Sequence, residues 1–342
     1  MDKFAQKRYL ILMGVGGIIA ILLMICIGLT YGEMKLSLID VISTLFHASN
    51  DPSYTIVIFQ FRLPRIVLGL LIGISLGIAG TVVQSLTRNP LADPGILGIN
   101  AGAGMFIVLF MFLLRDQIDL TGNLAIMLMP LFGIAGGLLS ALLIFLLAKD
   151  QNGLNPQRLI LVGIAITTGF SAITLYASLK MDPQDFEKAA SWLSGSLNSA
   201  NWLFVISLLP WMMILLPWLL YQTRLLDVMR LGDHTLLSLG IPLRQKRTIL
   251  MFISVGLVAS GVAVSGSIGF VGLIAPHMAT QLVGLAHRRA LPLSGVIGAL
   301  LVLIADFIGR TLFSPAQLPV GIVLSIIGAP YFVWLLSRRR KV

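Results

Sequence analysis

Apolar residues come in long unbroken runs in this chain, and polar residues collect in short blocks between them. Ten runs are about as long as the roughly 20 residues needed to cross a hydrocarbon core of about 30 Å: residues 9–31, 66–87, 95–114, 124–148, 159–179, 202–221, 249–268, 269–286, 291–313 and 318–336. The pattern predicts an all-α polytopic membrane protein with about ten transmembrane helices in a single domain spanning residues 1–342. The seventh and eighth runs form one stretch divided only by Gly266, Gly269 and Gly272, so nine spans or one broken helix are also open. The first run is too long for a signal core of about 7–15 residues and is read as a retained helix.

Two polar blocks flank the second run: Arg62-Leu63-Pro64-Arg65 before it, and Arg88-Asn89-Pro90-Leu91-Ala92-Asp93-Pro94-Gly95-Ile96-Leu97-Gly98 after it. The connection at about 222–248 carries Gly232, Gly240 and Pro242 among basic residues, which predicts one or two short helices at the surface, either a platform for a partner or a basic anchor. The remaining connections are loop-sized.

Composition agrees with a lipid setting: 57% of the residues are hydrophobic, 11% are charged and the mean hydropathy is +0.95. Basic residues orient the chain. With both termini inside, 17 of the 24 Lys and Arg fall on the cytoplasmic side. Lys35, Arg62, Arg65, Arg115, Lys180, Lys188 and Arg310 fall outside with most of the acidic residues. The net charge of +10 therefore reflects inner loops facing anionic lipid and is no argument for a nucleic-acid partner. The single Cys26 forms no internal disulfide and suits a small apolar role.

Arg62-x-x-Arg65 and Arg244-x-x-Arg247 each precede a glycine-bearing run, a weak internal symmetry compatible with an inverted repeat or with chance. Gly and Pro around His277 predict an interrupted helix. His277 itself is open between a proton-relay or ligand group and a structural hydrogen-bonding role, the second favoured because no carboxylate is near it in sequence. Asp306 and Arg310 share a helix face. Phosphate-loop, zinc-protease and hydrolase motifs are lacking, as is a chain of buried carboxylates, so the chain reads as a non-enzyme without a cofactor or metal site, drawing its energy from another subunit.

The ordered blocks Arg62–Arg65, Gln84 with Arg88–Gly98, Gly266–His277, Ala305–Arg310, and Leu318–Gly321 through Ile327–Pro330 resemble those of the FecCD/BtuC-type permeases. These are membrane subunits of ABC importers for iron-siderophores, haem and cobalamin. The resemblance implies ten helices, a second permease subunit in a homo- or heterodimer, two cytoplasmic ATPase subunits, an external solute-binding protein, and a bacterial cytoplasmic membrane. It implies docking of the binding protein at Arg62, Arg65 and Arg310, and ATPase coupling at Leu231, Gly232, Asp233, Leu239, Gly240, Ile241 and Pro242. Pathway or gate candidates are Gln84, Asn89, Asn155, Pro156, Gln157 and His277. Two positions depart from the pattern: Gln317 stands where many relatives have Glu, and Thr280 where many have Arg. A ferric siderophore, of hydroxamate type by preference, is the implied ligand, with cobalamin or haem as alternatives. An ion-driven carrier or a membrane scaffold is the reading from another class.

Overall fold

The computed structural model describes residues 3–32, 34–48, 51–95, 98–114, 123–150, 153–154, 156–231, 236, 242–314 and 316–339. Its helices are α1 (Lys3–Thr30), α2 (Leu38–Leu45), α3 (Pro52–Ile56), α4 (Leu63–Thr87), α5 (Ile99–Leu114), α6 (Asn123–Ala148) and α7 (Pro156–Leu179). There follow α8 (Pro183–Leu193), α9 (Trp202–Tyr221), α10 (Thr223–Val228), α11 (Leu243–Ser265), α12 (Val271–Val283), α13 (His287–Thr311) and α14 (Val320–Arg339). A two-residue antiparallel ladder, β1 (Lys149–Asp150) with β2 (Gly153–Leu154), precedes α7 and leaves the all-α class unchanged.

Each of the ten expected runs corresponds to a helix. Among the described residues, seven helical stretches are long and apolar enough to cross a membrane, and Ile99–Leu114, Val271–Val283 and Val320–Leu335 are shorter apolar helices. The uncertain seventh and eighth runs are two helices, α11 and α12, separated by a break. With 13 residues, α12 rises only about 20 Å at about 1.5 Å per residue, so it makes an incomplete crossing. Non-helical chain from Gly266 to Phe270 precedes it.

The second run starts later than its helix does. Asp51 accepts a hydrogen bond from the Ser53 N–H at 2.8 Å, and Pro52 fits the first helical position. From there α3, a π-helical turn over Val57–Arg62 and α4 follow without a break, so Arg62 and Arg65 lie inside a helical column and not at its head. The wider π turn shifts the register of the residues after it, and Arg62, its last residue, ends up buried.

At the centre, α4 packs on α13 and α12. A Cβ on Gly77 would lie 2.2 Å from the Ser294 carbonyl oxygen, and one on Gly80 would lie 2.1 Å from that of Gly272. Only glycine lets the backbones approach this closely, which is how helices without a hydrophobic drive between them gain contact in lipid. Burial covers 78% of the apolar window in the column from Pro52 to Thr87 and in α11, against 11% in α1 and 17% in α7. The first two are core helices; the last two present most of their surface outward.

Candidate functional site

Functional groups gather at the two ends of α4 and beside the break before α12. At the end that the charge pattern orients outward, Arg65 and Arg310 converge on one carboxylate, with Arg62 beside Arg310. Asp306, 4% exposed, accepts from Arg65 Nε at 2.8 Å and lies 2.8 Å from Arg65 Nη2 and 3.8 Å from Arg310 Nε. Three cations against one anion leave the cluster two positive charges in excess.

The arginines are not equivalent. Arg62 donates to the carbonyls of Leu29 and Met34, and Arg310 Nη2 donates to the Gly28 carbonyl at 3.1 Å. Gly28 and Leu29 belong to the last turn of α1, whose carbonyls lack helical partners and carry the negative end of the helix dipole; two guanidiniums answer both needs. Arg65 instead donates to two neutral amides at the surface, Gln317 Oε1 at 2.9 Å and Asn198 Oδ1 at 3.0 Å. Gln317, one of the two departures noted in the sequence, is therefore a partner of Arg65, and its neutral amide adds no second negative charge beside the arginine.

A cavity of about 810 Å³ lies between α7 and the α11–α12 break. Thr167, Ser171, Thr174 and Ser178 line it from α7, at intervals of four, three and four residues that place them on one helical face. Thr167 and Thr174 satisfy their hydroxyls on the carbonyls of Gly163 and Phe170, both at 2.8 Å. Ser178 Oγ and Asn100 Oδ1 have no hydrogen-bond partner among the described residues, while Asn100 Nδ2 donates to Ser267 Oγ at 3.1 Å. The wall thus offers spare hydrogen-bonding capacity with little charge; among the described residues that line it, Asp93 is the one ionisable group. Burial pushes the Asp93 carboxyl up from its ordinary value, against the N–H groups of Gly95 and Phe270, which pull it down.

Several pathway candidates hold local structure. Gln84 Nε2 donates to the carbonyls of Gly272 and Leu273, each at 3.4 Å, bracing the first turn of α12. Asn89 Oδ1 accepts from the Leu91 N–H at 3.0 Å and shapes the turn after α4. His277 Nδ1 lies 2.5 Å from Tyr331 Oη, joining α12 to α14, and its Nε2 lies 3.2 Å from Gln281 Nε2 one turn on in α12. Pro156 and Gln157 begin α7; Asn155 lies outside the described residues.

At the opposite end, the connection expected to hold short helices contains α10 and a 3-10 turn over Met229–Leu231. Leu231 closes that turn and Pro242 precedes α11; Gly232, Asp233, Leu239, Gly240 and Ile241 lie outside the described residues. Asp227 of α10 accepts from the His287 N–H at 2.8 Å and lies 2.7 Å from its Nδ1, while His287 Nε2 lies 2.5 Å from Ser85 Oγ. Arg88 Nη2 donates to the Met229 carbonyl at 3.2 Å. These bonds strap the segment leading to Leu231 onto the foot of α4 and the start of α13.

Sequence reasoning missed this strap, because Ser85, Asp227 and His287 are joined only by folding. It also missed the hydroxyl ladder of α7, although the spacing of the four residues was there to be read. Among the described residues, no group of three or more His, Cys, Asp and Glu side chains is placed to hold a metal ion.

Comparison with known proteins bears on the fold and the family. The chain is 50% identical over 313 residues to the iron-uptake system permease protein FeuC of Bacillus subtilis, covering 92% of this chain and 93% of that one. It is 42% identical to the iron(3+)-hydroxamate import system permease protein FhuG of the same organism, over 98% of this chain and 99% of that one. A metal-chelate type ABC transporter solved in an inward-facing conformation matches with a TM-score of 0.81 and 30% identity, covering 95% of this chain and 98% of that one. The model of the FecCD transport family matches residues 19–338, and with nearly the whole multi-pass bundle inside that match, this chain belongs to the FecCD transport family.

Proposed function

We propose that this chain is a membrane-spanning permease subunit of an ATP-driven importer that carries a ferric siderophore, of hydroxamate type, across a bacterial cytoplasmic membrane. The observation that carries the reading is the cavity of about 810 Å³, lined by hydroxyls and small residues together with large apolar side chains such as Phe186, Leu193 and Phe332. A bulky polar chelate needs room and weak hydrogen bonds, and a wall of strong opposite charges would trap it. The names of the two Bacillus relatives, iron uptake and iron(3+)-hydroxamate import, supply the ligand class.

The chain works with partners in this reading. A second permease subunit, identical or related, covers the exposed side of the cavity. Two ATPase subunits hydrolyse ATP beneath the segment from Leu231 through Gly232, Asp233, Leu239, Gly240 and Ile241 to Pro242, with both termini on their side of the membrane. A solute-binding protein docks at the arginine cluster. Arg65 makes the first contact, since a carboxylate can displace the neutral amides of Asn198 and Gln317; Arg62 and Arg310 hold the end of α1 and add field. Gln84, Asn89, Asn155, Pro156, Gln157 and His277 serve the gate as props for the helices that move.

The test is uptake of radiolabelled iron, offered as ferric hydroxamates, other ferric siderophores and haem, beside labelled cobalamin, in cells with and without this chain. Loss of ferric hydroxamate uptake without the chain, sensitive to ATP depletion while the proton gradient is maintained, is the expected result. Unchanged entry of every iron chelate with the purified complex also inactive, or loss confined to haem or cobalamin, overturns the proposed ligand. Dependence on the gradient alone overturns the importer.

A further inference from the structure

Phe270 has φ of +67°, a left-handed backbone conformation that a residue with a Cβ seldom adopts. Such a conformation persists only where the surroundings impose it. Here three contacts do so. The Phe270 N–H lies close enough to the buried Asp93 carboxylate to pull its pKa down against the effect of burial, and that carboxylate accepts the Gly95 N–H at 2.7 Å. The Phe270 carbonyl accepts from the N–H groups of Leu273 at 3.1 Å and Ile274 at 2.8 Å, opening α12. The ring lies against Gly328 of α14, where a Cβ would fall 2.4 Å from Phe270 Cγ.

Phe270 occupies the capping position of α12 and makes no side-chain capping bond. Asp93, from the distant turn after α4, stands beside that start of the helix on the same cavity wall. Both residues line the cavity of about 810 Å³, on the wall facing the hydroxyl ladder of α7. A strained aromatic residue, a buried carboxylate beside its backbone and a glycine seat for its ring thus meet beside this cavity.

We propose that Phe270 is a movable wall of the transport pathway and that Asp93 is the latch that keeps its ring seated against Gly328. The inference rests on the permease reading above. When Asp93 withdraws, the backbone at 270 relaxes to negative φ and the ring swings off Gly328 into the cavity, narrowing it. Asp93 is a positioning residue: it acts on the pathway through Phe270. The turn that carries Asp93 follows directly from α4, whose foot is strapped through Ser85, His287 and Asp227 to the segment leading to Leu231, so movement at that segment has a route to the latch.

The experiment measures thiol labelling in the permease assembled with its ATPase subunits. Cys26, the chain's single cysteine, is replaced by serine, Ser171→Cys places a thiol on the cavity wall, and a bulky water-soluble maleimide is the probe. Asp93→Ala is expected to slow labelling at position 171, Asp93→Asn, which keeps an acceptor oxygen, to leave it fast, and Phe270→Ala added to Asp93→Ala to restore it. Unchanged labelling in Asp93→Ala, or slow labelling that survives loss of the ring, overturns the proposal. Should Asp93→Ala fail to assemble, Gly328→Ala asks the same question, because the added methyl unseats the ring with Asp93 intact: slowed labelling supports the latch and unchanged labelling overturns it. Labelling needs no transported ligand, so a failed siderophore assay would remove the ligand assignment without touching this result.

Discussion

Arg65 and Asp306 stand 241 positions apart in the chain and meet with 2.8 Å between guanidinium and carboxylate, the carboxylate buried. Asp306 also faces Arg310 at 3.8 Å, so one buried anion holds α4 and α13 together at the end that carries the excess positive charge. Removing it leaves two guanidiniums without compensation in a region of low polarity. Asp306→Ala is expected to cost about 3–5 kcal/mol, read as a lower unfolding midpoint of the detergent-solubilised protein. A midpoint equal to the parent's would mean that solvent reaches the cluster freely.

Substitutions of Arg62 and Arg65 should separate folding from docking. Arg62→Gln removes donors from the Leu29 and Met34 carbonyls and is expected to lower stability by about 1.5–3 kcal/mol, the range for hydrogen bonds to charged groups. Arg65→Gln leaves Asp306 with Arg310, so the fold should persist while affinity for the solute-binding protein falls and its salt dependence weakens. Binding measured at two ionic strengths, beside unfolding midpoints, checks both. Equal effects of the two changes on binding would remove the distinction.

Packing of α4 predicts a contrast between two glycines. Gly77→Ala drives a methyl to 2.2 Å from the Ser294 carbonyl oxygen, whereas the nearest atom to a Cβ on Gly261 is 4.0 Å away. The first is expected to cost about 1–3 kcal/mol or more by overpacking, the second under about 0.5 kcal/mol. Unfolding of the two variants side by side decides the matter.

Asp93 carries a pH dependence of stability. Its carboxyl is raised by burial, so the folded state disfavours the charged form. Its contribution is then fully present below the unfolded-state value and is lost as pH rises through the folded-state value. Asp93→Asn, with no charge to bury, should gain stability relative to the parent as pH rises across that window. Parallel stability curves for parent and variant would show that the carboxyl is not raised.

The strap between α10, the start of α13 and the foot of α4 predicts loss of coupling. Asp227→Ala leaves the His287 N–H without its acceptor, and more ATP should be hydrolysed per ligand moved. Asp227→Asn, which retains an acceptor for that N–H, should fall closer to the parent. An unchanged ratio in the alanine variant would mean that the α10 segment moves independently of α4.

How much of this was legible beforehand follows from the range of each interaction. The ten apolar runs and the positive bias of the inner loops are local properties of the chain, imposed by the cost of placing charge or bare backbone in hydrocarbon; the sequence alone therefore determined an all-α membrane bundle and brought Arg62, Arg65 and Arg310 under suspicion. That two of those arginines cap α1 while the third meets exposed amides, that Asp93 and Phe270 share one cavity wall, and that Ser85, His287 and Asp227 touch were decided only by the tertiary structure. Each depends on side chains brought together across 28 to 241 residues. Burial and distance, which no periodicity encodes, fix whether a charge is spent inside the fold or left for a partner.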